Sequence, residues 1–253
     1  MSEKCVHNDI HINSESVKIS PNTPNKETNA AMLEAEKLAS DPAAKSYTDT
    51  AKLFADLGDD PESYSMLETE RLILRSFCDG DAEDVFDYLK EPMVNCFACM
   101  KVHSLEEAQK AVMERAEDPE YTFAIILKDT GKVIGEIDAH PESSQPDGAE
   151  SYVKDTFSPC WMLNPDFHGK GYAYEAAKAF FDYLFYQKGA RRIYAYTEDY
   201  NLPSQHLCEK LGMRREGLFR EFVSFVNDAD GNPIYENTYQ YAILKKEWDA
   251  KRK

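Results

Sequence analysis

Apolar and polar positions change their period along this chain, and the changes mark out its elements. Arg71-Leu72-Ile73-Leu74-Arg75 alternates as a strand does. Asp81 to Lys90 groups Val85, Phe86 and Leu89 on one face and predicts a helix. Ser104 followed by Glu107 is the signature of a capping box, opening a helix that runs to about Ala116. Thr122 to Lys128 reads as a strand, Asp129-Thr130-Gly131-Lys132 as a turn, and Val133 to His140 as the hairpin partner. Pro141 to Lys154 is polar and reads as a loop. Phe157 to Leu163 is the next strand, followed by a glycine-bearing turn and an amphipathic segment to about Gln187. Arg192 to Thr197 predicts a strand, Pro203 to Leu211 a short helix, and Phe219 to Val226 with Ile234 to Leu244 a last hairpin across Asp228-Ala229-Asp230-Gly231-Asn232. No internal repeat is visible. The order predicts an α/β protein with a mixed sheet, in the α+β manner.

Residues 1 to 66 differ from this body. They hold twelve acidic and six basic side chains and no tryptophan. Met1 to Lys26 has little periodicity and carries Pro21-Asn22-Thr23-Pro24-Asn25, so it predicts a loose segment. Thr28 to Ser40 and Thr48 to Leu57 have the spacing of short helices, and Gly58-Asp59-Asp60-Pro61 reads as a linker. The expected organisation is an extension over 1–66 and one domain over 67–253.

Charge and composition narrow the function. With 253 residues the chain can bury one sizeable core. Its net charge of -17 disfavours sequence-independent nucleic-acid binding and suits a cationic acceptor, although acidic proteins also gain solubility that way. Mean hydropathy is -0.60, and no apolar run is long enough for a membrane span. Met1-Ser2-Glu3-Lys4 lacks the pattern of a secretory signal, and six scattered cysteines fit reduced thiols, so a cytoplasmic location is expected. Cys96-Phe97-Ala98-Cys99 with His103 has the look of half a zinc site. No second ligand pair stands at finger spacing, and no metal is expected.

The chemistry concentrates at Phe167-His168-Gly169-Lys170-Gly171-Tyr172-Ala173-Tyr174-Glu175-Ala176. A strand feeds a glycine turn there, and the turn feeds a helix N-terminus with unpaired N–H groups and the positive end of the helix dipole. Gly169 and Gly171 admit an anion close to the backbone, and Lys170 adds a positive charge. The spacing is neither that of a Walker loop nor that of a dinucleotide fingerprint.

"HGKGYAYEA", followed by "NLPSQHLCEKLGM", resembles the GNAT acetyltransferase superfamily, and within it the RimJ/RimL branch, which acetylates protein N-termini. The likeness spans roughly Leu67 to Asp249. The family's phosphate loop, Gln/Arg-x-x-Gly-x-Gly/Ala, falls on His168, Gly171 and Ala173. The resemblance implies acetyl-CoA as co-substrate and direct attack by a primary amine in a ternary complex. It implies that His168, Gly169, Lys170, Gly171, Tyr172 and Ala173 hold the diphosphate. Met162 and Leu163, on a strand splayed from its neighbour, would pair with pantetheine, though core packing accounts equally well for Met162. Asn201 would bind pantetheine too. Ser204 stands where some relatives keep a general acid. Cys208 stands where many members keep a tyrosine acid, and a buried, inert cysteine is the other account of it.

For the base, Glu136, Asp138 and His140 share a face of their strand by two-residue alternation. Glu136 is the first choice. A merely solvated strand face is the alternative. The acceptor can be a protein N-terminus, a small amine, an antibiotic or a charged tRNA, with the acidic charge counting against the last. Loops 90–103 and 141–156 are expected to select it. A dimer is compatible with the family. "PNKETNAAMLEAEKLASDPAAKSYTDTAKLFADL" in the extension resembles the toxin-wrapping half of RelB/DinJ-type antitoxins, which implies a toxin partner and, at the extreme, a binding module rather than an enzyme.

Overall fold

A computed structural model describes residues 66–143 and 153–251. The two helices expected before residue 58 and the antitoxin-like stretch lie outside the described residues. The short β1 (Leu67–Glu68) and β2 (Leu72–Arg75) lead into α1 (Ala82–Leu89), a 3-10 turn at Asn95–Met100, and α2 (Leu105–Ala116). Next come β3 (Thr122–Leu127), β4 (Val133–Asp138), β5 (Pro141–Ser143), β6 (Lys154–Phe157) and β7 (Cys160–Leu163). A 3-10 turn at Pro165–Phe167 precedes α3 (Tyr172–Tyr186), β8 (Arg192–Glu198) and α4 (Leu202–Leu211). The long β9 (Arg214–Asn227) and β10 (Pro233–Leu244) then form a hairpin, and α5 (Lys245–Ala250) closes the described chain.

The strands make two five-stranded sheets, ordered β1-β2-β3-β4-β7 and β5-β6-β8-β10-β9. Every strand pair is antiparallel except β6 with β8. β3 reads Thr-Phe-Ala-Ile-Ile-Leu without polar alternation because both of its faces are covered. Phe123 and Ile125 join a core with α3 (Ala176, Ala177, Phe180, Leu184). Ala124 and Ile126 join a second core with α1 and α2 (Val85, Leu89, Ala108, Val112).

Several boundaries differ from expectation. The strand expected over Phe157 to Leu163 is two strands. β6 pairs with β8 through Thr156↔Arg192 and Phe157↔Ile193, whereas β7 pairs with β4 through Gly135↔Leu163 to Asp138↔Cys160. The chain changes sheets across Ser158-Pro159, and proline has no N–H to continue a ladder. The loop expected over Pro141 to Lys154 contains β5 and the start of β6, and β4 stops at Asp138 instead of running to His140. β9 begins at Arg214, five residues before the expected start, since its polar N-terminal half still pairs with β10. At α2 the Ser104 hydroxyl accepts from the Glu107 N–H (3.2 Å), but Glu107 accepts from the His103 N–H, one residue before the cap.

One buried ion pair ties α2 to β4. Arg115 Nε and Nη2 donate to the two Glu136 carboxylate oxygens, each at 2.9 Å, and the Tyr88 hydroxyl donates to the same group at 2.8 Å. Removing one member of such a pair strands the other charge in the core. Arg115→Met should therefore lower stability by about 3–5 kcal/mol in urea unfolding, and adding Glu136→Leu should restore most of the loss.

Candidate active site

The break at Ser158-Pro159 opens a gap between β7 and β8. β6 pairs with only the first residues of β8, and among the described residues β7 has no strand on its outer side. The Asn164 N–H donates to the Ile134 carbonyl at 2.8 Å, which fixes the phase of the ladder. By alternation the backbone groups of Met162 turn towards β4, and those of Trp161 and Leu163 turn towards the gap. Of the two residues expected to pair with pantetheine, Leu163 thus turns its N–H and carbonyl to the gap, the carbonyl meeting His168 Nε2. Met162 does not, and its side chain is buried in the core beside α1 and α2. Gly135 permits this close β4–β7 approach, because a Cβ there would overlap the Met162 carbonyl oxygen.

At the end of β7 lies the glycine turn. Gly169 and Gly171 take φ of 73° and 85°, the left-handed region that favours glycine. The first bond of α3 runs from the Glu175 N–H to the Gly171 carbonyl at 3.1 Å, so the N–H groups of Tyr172, Ala173 and Tyr174 have no intrahelical acceptor. His168 meets the Leu163 carbonyl through Nε2 at 3.0 Å and so closes the turn onto β7. The Lys170 ammonium donates to the Asp166 carbonyl at 2.9 Å.

Arg71, which sequence reasoning missed, completes this turn. Its Nη1 donates to the Lys170 carbonyl at 3.1 Å, and its guanidinium lies 4.5 Å from the centre of the Tyr172 ring. Glu175 on α3 anchors it, accepting from Arg71 Nε (2.7 Å), Arg71 N–H (2.8 Å) and the Thr69 hydroxyl (2.7 Å). Burial pushes the Glu175 carboxyl up, but these donors prevail and hold it below the usual carboxylate range. The turn therefore gathers free N–H groups, a helix N-terminus and a guanidinium half exposed to solvent.

A cavity of about 350 Å³ occupies the gap, with Cys160 and Trp161 of β7, Tyr196 and Glu198 of β8, and Asn201 and Ser204 of α4 among its walls. The residues expected near the thioester form a hydrogen-bonded chain. Trp161 Nε1 donates to Ser204 Oγ at 3.2 Å, the Ser204 N–H to Asn201 Oδ1 at 3.3 Å, and Asn201 Nδ2 to Glu198 Oε2 at 3.2 Å. Both ends of the Asn201 amide are thus engaged, one of them as the cap of α4. The Ser204 hydroxyl accepts from Trp161, and no donation from it is seen among the described residues. Glu198 was not foreseen, since a carboxylate at a strand end gives no sign of which cavity it enters.

Two other expectations are not met. Cys208 is fully buried in the α3 core, where burial first and the nearby Glu209 second push its thiol up to about 12, so it neither lines the cavity nor donates readily. Glu136 is not a free base. Both of its oxygens are taken by Arg115, and it lines a different groove, shared with Asp138 and His140 on the α2 side. The three residues of that face do stand together, but the face is not simply solvated: Glu136 is buried and His140 pairs with Asp118 at 3.2 Å. Among the described residues no group of three His, Cys, Asp or Glu side chains is placed to hold a metal ion.

Asp138 carries the perturbed carboxyl of that groove. Burial, then the Glu136 charge, raises it to about 6 from an ordinary 3.8. The folded protein therefore keeps a proton that the unfolded chain releases between about pH 4 and pH 6, and its stability falls as pH rises through that window. Asp138→Asn should be more stable than the parent by about 2–3 kcal/mol at pH 7, with the gain shrinking towards pH 4, as read by urea unfolding at a series of pH values.

Comparison with known proteins agrees with this geometry. The family model described as Acetyltransferase (GNAT) domain matches residues 71–214. An uncharacterized N-acetyltransferase of Bacillus subtilis, YnaD, is 32% identical over 183 residues, covering 72% of this chain and 99% of the relative. The crystal structure of a GNAT-family acetyltransferase from Bacillus anthracis is 31% identical and superposes with a TM-score of 0.60, covering 72% of this chain and all of that one. A ribosomal-protein-S5-alanine acetyltransferase from Vibrio fischeri, at 18% identity and a TM-score of 0.55 over 73% of this chain and 98% of its own, shares the fold. The splayed strands, the glycine turn and these relatives together place the chain in the GNAT superfamily as an acyl-CoA-dependent N-acetyltransferase.

Proposed function

We propose that the protein transfers the acetyl group of acetyl-CoA to a primary amine by direct attack within a ternary complex. The observation that carries this reading is the pairing of two features along β7: the glycine turn and α3 N-terminus that follow its end, and the Glu198–Asn201–Ser204 chain in the cavity beside its start. The diphosphate is assigned to the N–H groups from Gly169 to Ala173, with the Arg71 guanidinium beside them. Pantetheine is assigned to the outward backbone of Leu163 and Trp161.

In this reading an ammonium acceptor gives its proton to Glu198, and the freed nitrogen attacks the thioester carbon. A C–N bond forms and the C–S bond breaks. The leaving thiolate takes the hydroxyl proton of Ser204, whose oxygen accepts from Trp161 Nε1 and whose backbone N–H is held by Asn201, and the seryl oxygen recovers a proton from the attacking nitrogen as that becomes an amide. Glu198 replaces Glu136 as the base because its carboxylate lines the same cavity as Ser204. The acceptor loops of this reading are the 3-10 turn at Asn95–Met100 and the β6–β7 break, both of which line that cavity. A protein N-terminal amine, as the RimJ/RimL likeness implies, belongs in the same acceptor panel as small amines.

Calorimetric titration of acetyl-CoA should show binding to the parent and none to Gly171→Glu, since a carboxylate at that cap repels the diphosphate and occupies its N–H cradle. Absence of binding to the parent would sink the reading. Ser204→Ala and Glu198→Gln should each lower kcat by about 10²-fold or more while leaving the affinity for acetyl-CoA within a few-fold of the parent.

A further inference from the structure

Four carboxylates are buried among the described residues: Asp81, Glu136, Glu198 and Glu236. The chain neutralises two of them. Asp81 receives Arg75 Nη1 and Nη2, each at 2.8 Å, and Glu136 receives Arg115. The other two meet only neutral donors. Glu198 accepts from Asn201 Nδ2 and from the Cys96 thiol, which burial and this carboxylate hold in its protonated form. Glu236 accepts from Asn95 Nδ2 at 2.5 Å and from the Tyr200 hydroxyl at 3.2 Å. Neither forms an ion pair with a lysine, arginine or histidine of the described chain, although burying a carboxylate without a counter-charge is costly.

Thr238 stands between them. The β8–β10 register ends at Thr238, directly opposite Glu198, and strand alternation puts Glu236, two residues back along β10 and just outside the cavity's lining, on the face of Thr238. Diagonal neighbours of this kind lie about 7–8 Å apart. Thr238 is 4% exposed and lines the cavity, yet its hydroxyl has no hydrogen-bond partner among the described residues. A buried hydroxyl in that state is open to a ligand's donor. The cavity's lining also offers the rings of Phe97, Trp161, Tyr196, Phe222 and Phe225, which suit an alkyl chain with cationic ends.

We infer that the acceptor is a short diamine, about three to five carbons between its nitrogens, with one amine presented to Glu198 and the second, cationic nitrogen held by Glu236 and the Thr238 hydroxyl. The inference rests on the N-acetyltransferase reading above. The second nitrogen replaces the missing counter-charge, and its N–H donates to Thr238 Oγ1. A protein N-terminus brings one ammonium and leaves Glu236 without a cation.

The test is steady-state acetylation, at fixed acetyl-CoA, of 1,4-diaminobutane, n-butylamine, 4-amino-1-butanol and a short peptide with a free N-terminus. The diamine should exceed butylamine and the amino alcohol in kcat/KM by about tenfold or more, mainly through KM. Glu236→Gln and Thr238→Val should each bring that ratio towards one. Glu236→Asp, which keeps the charge but shortens its reach, should retain the preference and move the optimum towards 1,5-diaminopentane. Equal rates for diamine and butylamine, a preference for the peptide, or a ratio unmoved by Glu236→Gln and Thr238→Val would overturn the inference and leave N-acetyl transfer standing. No acetylation of any amine, with acetyl-CoA bound, would fell the functional reading and this inference with it.

Discussion

The parting of β7 from β8 is the constraint on which the rest of the site depends. Two adjacent strands in one sheet would saturate each other's backbone groups and leave no room between them. Here the chain pairs with β8 as β6, turns at Ser158-Pro159, and pairs with β4 as β7. One edge of β7 is consequently free, and the cavity that holds Ser204 and Glu198 lies where the ladder would have continued. The left-handed glycines that follow deliver the N-terminus of α3 to the end of the same strand. The glycine turn and the cavity walls are thus placed by a single two-residue break.

A second theme is the sorting of buried charge. Arg75 and Arg115 occupy the carboxylates that serve the framework, and the fold gains fixed geometry from pairs that are costly to break. Glu198 and Glu236 are held by an amide, a thiol and a phenol, groups that position a carboxylate without cancelling its charge. The same residue type therefore plays two parts in one small domain, and the difference resides wholly in its partners.

Much of the fold was legible in the sequence because its signals are local. The turn at His168–Gly171 needs glycine at two left-handed positions, and no other residue type writes that requirement so plainly. The helices over 82–89, 105–116 and 172–186 follow from apolar spacing, and the hairpin of β3 and β4 from Asp129-Thr130-Gly131-Lys132. That Ser204 and Asn201 stand side by side was legible too, since both lie within a few residues of a strand end whose position the pattern gives.

What the sequence by itself determined was most of the described elements and their order, the glycine turn before α3 and the acetyltransferase family, since each depends on residues close together in the chain. What only the tertiary structure decided was which carboxylate is free. Glu136 looked like a base until Arg115, twenty-one positions away, was found on both of its oxygens. Cys208 looked like an acid until α3 was packed over it. Arg71 meets its turn from about a hundred positions away, and Glu198 meets Thr238 only through the register of β8 with β10. Charge and accessibility are properties of an environment assembled across the chain, and a one-dimensional pattern carries no record of that assembly.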